Sequence, residues 1–180
     1  VAGVEFLYDE KGNTTYDGGD YAYTYDAQNR LVAATKTPGS LSAACDTPLS
    51  FTTGGDANWF AETGVFGPES DVDAAQSGDI SDNQTTWMQT TVEGKGVISF
   101  YWKVSSDGYY DALEFYIDDV LKDHIGGSYD WQYVDHSITT TGTHTLKWRY
   151  TKNSSGSSGS DCGWVDHVEW DPSGPSSPQP

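Results

Sequence analysis

Acidic side chains dominate the reactive groups of this chain, with 27 Asp and Glu against 9 Lys and Arg in 180 residues. Acid–base chemistry needs two carboxylates facing one another across a substrate. Asp107/Asp111 and Glu114/Asp118 are close in sequence, but where acids are this common such pairing carries little information. The histidines, His124, His136, His144 and His167, have no neighbouring nucleophile motif such as G-x-S-x-G. His144 falls on a core-facing position, where a histidine is ordinarily one satisfied by its surroundings. Asp118-Asp119 and Asp79/Asp82 lack the glycine and terminal glutamate of an EF-hand. Cys45 and Cys162 have no zinc spacing with any histidine. The glycine-rich segments read as β turns with no helix after them, so none cradles phosphate. No set of residues fills the roles of nucleophile, base and oxyanion donor, and the expectation is a protein that is not an enzyme.

Binding chemistry is better represented. Seven Trp and twelve Tyr are present, and both side chains offer a flat apolar face with a polar handle. A sugar presents C–H faces ringed by hydroxyls, so its site needs an aromatic platform beside carboxylates, amides or guanidinium groups. Turn segments supply one such set: Trp59 after Gly-Gly-Asp, Tyr109 and Tyr110 beside Asp107 and Asp111, and Tyr129-Asp130-Trp131. A strand face supplies another, with Tyr101, Tyr116, Lys147, Arg149, Glu114 and His167. Loops on a rigid scaffold more often carry function, so the first set is the expected site for a glycan or polysaccharide. The competing account makes Trp59 and Trp131 lids over the ends of the fold and the charges ordinary cross-strand pairs.

Two-residue alternation must position these groups. In 96–105, Ile98, Phe100, Trp102 and Val104 alternate with Ser99, Tyr101, Lys103 and Ser105. Residues 112–118 continue the pattern after Ser106-Asp107-Gly108, and the two runs read as a hairpin. Further strands are expected at 49–53, 72–76, 85–92, 120–125, 131–138, 143–151 and 164–170. In the last of these, Trp164, Asp166, Val168 and Trp170 share the inward face. Many short strands separated by turn clusters predict an all-β sandwich or barrel. The net charge of −18 excludes nucleic acid, which requires clustered Lys and Arg, and anionic membrane surfaces. No run of about 18 apolar residues predicts a membrane span.

Residues 1–34 contain a period of 17, in which Tyr8-Asp9 and Gly12-Asn13 recur as Tyr25-Asp26 and Asn29-Arg30. This segment resembles the YD repeats of bacterial RHS proteins, which implies a partial arm of a large surface-exposed or secreted parent. Residues 35–44 read as a linker and 172–180 as a Pro/Ser linker leaving the domain. The chain is thus expected to be a monomeric module within a longer bacterial protein, secreted or on the cell surface.

Between them, 45–171 resembles the jelly-roll β-sandwich modules related to MAM and carbohydrate-binding domains. The likeness lies in Asp46, Phe51 to Phe60, Ala75 to Ile80, Ser99 to Ser105, and Gly159 to Asp166. It implies a two-sheet antiparallel sandwich with neighbouring first and last strands. On that arrangement Cys45 and Cys162 are expected to form a disulfide, which an exported chain permits. Asp46, Asp161 and Asp166 would also converge, and oxygen-rich convergence suits Ca²⁺. Related sandwiches often carry a structural Ca²⁺, so the resemblance points the same way. The alternative is that Asp166 accepts backbone or Trp N–H bonds. The functional expectation is a non-catalytic carbohydrate-binding module. The alternative is an adhesion or spacer module of a large RHS-like surface protein, with a protein ligand or none.

Overall fold

The computed structural model describes residues 7–16, 21–36, 39–65, 67, 72–108 and 110–172. The chain divides into two compact units, Val1–Gly39 and Ser40–Pro180. In the first, β1 (Leu7–Tyr8), β2 (Thr14–Tyr16), β3 (Tyr21–Tyr25) and β4 (Leu31–Lys36) form one antiparallel sheet in that order. The period of 17 has a local cause in its two turns. Asp9 Oδ1 accepts the amides of Lys11 and Asn13, and Asp26 Oδ1 those of Gln28 and Arg30, all at 2.9 Å. Gly12 and Asn29 take the left-handed conformation that each turn needs, with φ of 82° and 66°. Hydrogen bonds from Asn13 hold Asp9 below its usual pKa, and those from Arg30 do the same for Asp26.

The second unit starts with a helical turn, α1 (Leu41–Ala44), capped by Ser40, whose side chain accepts the Ala43 amide. The expected linker 35–44 therefore holds the end of β4 and this helix. The strands that follow are β5 (Thr52–Gly55), β6 (Phe60–Thr63), β7 (Asp73–Gln76), β8 (Thr85–Glu93), β9 (Gly96–Ser105), β10 (Ala112–Ile117), β11 (Val120–Gly126), β12 (Ser128–Ile138), β13 (Thr143–Thr151) and β14 (Cys162–Asp171). Their order is β11-β10-β13-β8-β5 in one sheet and β12-β9-β14-β7-β6 in the other, with antiparallel pairing throughout. Successive strands change sheet except at β6–β7 and β10–β11, which gives the two-sheet jelly-roll sandwich expected from the alternation. Strand β6 was not anticipated.

The core lies between the sheets and follows the period-two pattern, with every second residue of β8, β9 and β13 buried. Phe100 stands at its centre, with ring centroids 4.8 Å from Phe115, 5.2 Å from Trp148 and 5.6 Å from Trp102. Each such fully buried ring contributes roughly 1.5–3 kcal/mol relative to exposure.

Three expectations fail, each for a non-local reason. Strands β9 and β10 are not a hairpin, because they belong to opposite sheets. Ser106 leads the chain across: its amide donates to Gly127 O at 2.8 Å, and its hydroxyl donates to Asp111 O at 2.6 Å. The true hairpin joins β10 to β11 through Asp118 and Asp119, with φ of 52° and 60°, as a right-twisted two-residue turn requires. Second, β14 carries a bulge between Asp166 and Glu169, with His167 at φ 54°. One extra residue reverses the parity. Val165, Val168 and Trp170 thus join the main core, while Trp164 packs into a separate cluster with Ala74 and Cys162.

Third, Cys45 and Cys162 are both free thiols, not a disulfide. The segment of Cys45 does lie beside β14, but at its middle: Cys45 Sγ is 3.7 Å from Val165 O, and Val168 N donates to Cys45 O at 2.9 Å. Cys162 begins the strand, about 10 Å back at roughly 3.3 Å per residue, beyond disulfide reach. Burial pushes the Cys45 thiol well up and the Cys162 thiol up to about 12, so both stay protonated and unreactive.

Candidate functional site

Strands β9, β12 and β14 build an aromatic outer face on their sheet. The outward residues of β9 meet β12 and β14 in register: Tyr101 opposes Tyr133 and Asp166, and Lys103 opposes Trp164. The Tyr101 and Tyr133 rings stand edge to face at 5.3 Å, and Tyr133 remains 57% exposed. A second bulge lies between Tyr129 and Gln132, and Tyr129, which opposes Val104 near the end of the pairing, is 50% exposed. Trp131, half-buried, packs on the cluster containing Trp164. Lys103 Nζ lies 5.9 Å from the Trp164 ring centre and bonds Asp130 Oδ1 at 3.0 Å. That bond holds the Asp130 carboxyl below its usual range. Between Tyr129, Trp164, Lys103, Val65 and Ser160 runs a groove of about 460 Å³. The arrangement offers exposed rings, a carboxylate and an ammonium along one strand edge.

The expected loop set does not stay together. Tyr129 and Trp131 belong to β12 and this groove. Tyr110, 74% exposed, borders a recess on the other sheet with Glu114, Leu121 and His124. Asp107 is exposed and lies against Gly156. Tyr109 lies outside the described residues. Trp59 is buried in the core at 3% exposure, which removes it as a platform. Its segment is held down because Thr86 Oγ1 donates to Ala57 O at 2.6 Å and Gly78 lies against Ala57 and Asn58. Asp111 is fully buried, with Oδ1 accepting the Asn153 amide at 2.8 Å and Oδ2 3.6 Å from Lys152 Nζ.

The second expected strand face divides as well. Tyr101 and His167 lie on the β9 sheet, and the other four on the β10 sheet as a cross-strand ladder. Arg149 Nε donates to Glu114 at 2.7 Å, Arg149 stacks on Tyr116 at 4.8 Å, and Lys147 pairs with Asp119 at 2.6 Å. Burial and the bond to Glu114 push the Tyr116 hydroxyl up to about 12. Glu114 and Asp118 do not face one another across a cleft, since Asp118 sits in the β10–β11 turn on His144 Nδ1 at 2.7 Å. His144 is thus the buried, hydrogen-bonded histidine that its position suggested.

Of the metal expectation, two acids meet and one does not. Ligand atoms of Asp46, Asp166 and His167 all lie within 4.8 Å of one another. The bulge places His167 there, with Nδ1 3.0 Å from Asp46 Oδ2, and its amide donates to Asp166 Oδ1 at 2.6 Å. A cleft of about 530 Å³ opens beside them, lined by Thr47, Leu49 and Trp170. Asp161 is remote from this group because Lys152 and Tyr150 hold it near the start of β14.

Tyr133, His167 and Lys152 were missed or misplaced in the sequence. The row Tyr129, Trp131, Tyr133 at period two was a usable signal for the first. Neither the bulge that turns His167 nor the burial of Lys152 leaves a local mark.

Among the described residues no helix is long and apolar enough to cross a membrane. No family model matches the chain, and no curated protein matches it. Solved structures do. The secreted serine protease VesC from Vibrio cholerae matches with TM-score 0.52 and 13% identity, over 86% of this chain and 34% of that one. The chain thus spans about a third of that protein's length. The K1 cleaved adhesin domain of Lys-gingipain from Porphyromonas gingivalis matches with TM-score 0.51 and 13% identity, over 67% of this chain and 89% of that one. TmCBM61 in complex with β-1,4-galactotriose gives TM-score 0.47 and 9% identity, over 73% and 92%. What this chain has in common with the protease and the adhesin domain is the fold, a two-sheet antiparallel β-sandwich.

Proposed function

We propose that this chain carries a non-catalytic carbohydrate-binding sandwich of a bacterial secreted or cell-surface protein. Its glycan lies across the outer face of the β9 sheet, on Tyr133, Tyr101 and Tyr129, with Lys103 and Asp130 addressing hydroxyls. The observation that carries this reading is the pair of half-exposed rings, Tyr129 and Tyr133, on the strand that borders the groove. Idle exposure of such rings is unfavourable, and stacking on a sugar face removes it. The acidic composition supports an exported setting, and the YD-like hairpins support a longer surface-exposed parent.

A glycan-array screen followed by Tyr133→Ala, Tyr129→Ala and Trp131→Ala tests it. Hits that weaken in these variants support the reading, and hits indifferent to all three overturn it. A protein ligand is the competing reading, favoured by Val120 and Leu121, exposed 56% and 48% on edge strand β11. An array with no hits, together with capture of a protein that Leu121→Lys abolishes, supports that reading instead.

The Ca²⁺ expectation narrows to Asp46 and Asp166. Their carboxylates fit a hard cation, though two carboxylates supply fewer than the 6–8 oxygens that Ca²⁺ takes, and the imidazole of His167 is not one of them. Ca²⁺ at a hundredfold excess over its Kd would stabilise by about 2.7 kcal/mol. A thermal midpoint that rises with Ca²⁺, falls with EDTA and ignores both in Asp166→Asn supports the site. One unmoved by Ca²⁺ in the wild type removes it.

A further inference from the structure

Lys152 directly follows β13 of one sheet and Asp161 directly precedes β14 of the other, so their contact spans the sandwich. The Lys152 side chain is 1% exposed and bonds the Asp161 carboxylate directly. Lys152 Nζ also donates to Ser157 Oγ at 3.1 Å and to Gly156 O at 3.4 Å, and two groups with acid–base chemistry flank the pair. Asp111, fully buried, holds Oδ2 3.6 Å from Lys152 Nζ, and that oxygen has no hydrogen-bond partner among the described residues. On the far side, the Tyr150 hydroxyl donates to Asp161 Oδ1 at 3.1 Å. An amine, a carboxyl carbon, a spare carboxylate and an O–H donor on the carboxyl oxygen are the components of an amide-forming centre.

We propose that Lys152 and Asp161 condense to an intramolecular isopeptide bond, with Asp111 as the proton shuttle and Tyr150 as the oxyanion donor. One ammonium proton passes from Lys152 Nζ to Asp161 Oδ2 across their existing contact, leaving a neutral amine and a carboxylic acid. The amine lone pair attacks Cγ, the C–N bond forms, and the carbonyl electron pair moves to Oδ1 under the Tyr150 hydroxyl. Asp111 Oδ2 removes the second proton from nitrogen and delivers it to the Oδ2 hydroxyl. The C–Oδ2 bond breaks, one water leaves, and Asp111 returns to a carboxylate. No oxidant or cofactor enters.

Two features drive the reaction forward. The fold supplies the proximity that an intermolecular amide lacks, and effective molarities for such held pairs reach about 10⁵–10⁸ M. Condensation also replaces a desolvated ion pair with a neutral amide, so the interior no longer holds those two charges. The opposing factor is the first proton transfer. Desolvation is the largest single influence and favours the neutral amine, but the bond and charge of Asp161 together with the charges of Asp111 and Asp82 outweigh it and keep the ammonium above its usual pKa. The bond would join the two sheets and fix the 153–160 loop, whose Ser160 borders the groove.

The test is intact-mass spectrometry of the folded full chain, held until its mass is constant. The expected mass is one water below that of the sequence, with a tryptic peptide uncut after Lys152. Asp161→Asn should lose ammonia instead of water. Asp111→Asn should keep the full mass while circular dichroism remains that of the wild type. A full-mass wild type overturns the proposal outright. So does a water loss that persists in Lys152→Met, which would place the dehydration within an acidic side chain alone. A water loss that persists in Asp111→Asn overturns the role of Asp111.

Discussion

Tyr133→Ala is the substitution on which the binding proposal turns. A tyrosine buries about 150–250 Å² when fully covered, and Tyr133 is 57% exposed, so a ligand stacked on it covers about 100 Å² more. At about 25 cal/mol/Å² this amounts to at most about 2.5 kcal/mol. The ring is already held edge-on by Tyr101, so little side-chain freedom is lost on binding. Desolvation of the hydroxyl lowers the net gain to about 1–2 kcal/mol, or roughly 5- to 30-fold in Kd. Stability should change less. The lost ring pair is worth about 0.5–1.5 kcal/mol on an edge strand, a drop of a few degrees in Tm. Calorimetric titration with the best array hit gives the first quantity and thermal unfolding the second. Tyr110→Ala, which alters the opposite sheet, should leave Kd unchanged. If Tyr110→Ala abolishes binding and Tyr133→Ala does not, the face has been assigned wrongly.

Other expected outcomes are independent of any ligand. The bond to Asp118 raises the folded pKa of His144, and the same bond lowers that of Asp118. The His144 contribution is therefore complete below its unfolded value near 6.5 and is lost as pH rises through the raised folded value. The Asp118 contribution is present above its unfolded value near 3.8 and is lost as pH falls through the depressed one. Urea midpoints of wild type and His144→Gln across this range should differ most between the two folded values, and parallel curves would refute the pairing. Reducing agent should leave the Tm unchanged, because Cys45 and Cys162 are separate thiols; a reductant-sensitive Tm would contradict the register of β14. Gly55→Ala should cost on the order of 2 kcal/mol in urea unfolding, since Gly55 has φ 96° and an added Cβ would stand 2.3 Å from Thr85 O. A neutral result would mean that β5 can move away from β8.

The fold class was legible because alternation is a local property. Ile98, Phe100, Trp102 and Val104 are buried by the same two-residue period that the sequence displays. The repeated turns at Asp9 and Asp26 were legible for the same reason, since each closes within five residues. Pairing is not local. The alternation of 96–105 and 112–117 suits a hairpin and a sheet-to-sheet crossing equally, and only long-range pairing with β12, β14 and β13 decided between them. Bulges are still less legible, because one inserted residue reverses every later side chain without changing the composition. The bulge at His167 moved Trp164 out of the main core and brought His167 to Asp46; the one before Gln132 broke the period that Tyr129 shares with Tyr133 in the sequence. Composition and period thus determined that there would be two greasy faces and an acidic exterior. Tertiary contact alone decided which rings meet water, which acids meet each other, and that Lys152 is enclosed between Asp111 and Asp161, because each depends on chain segments brought together from far apart.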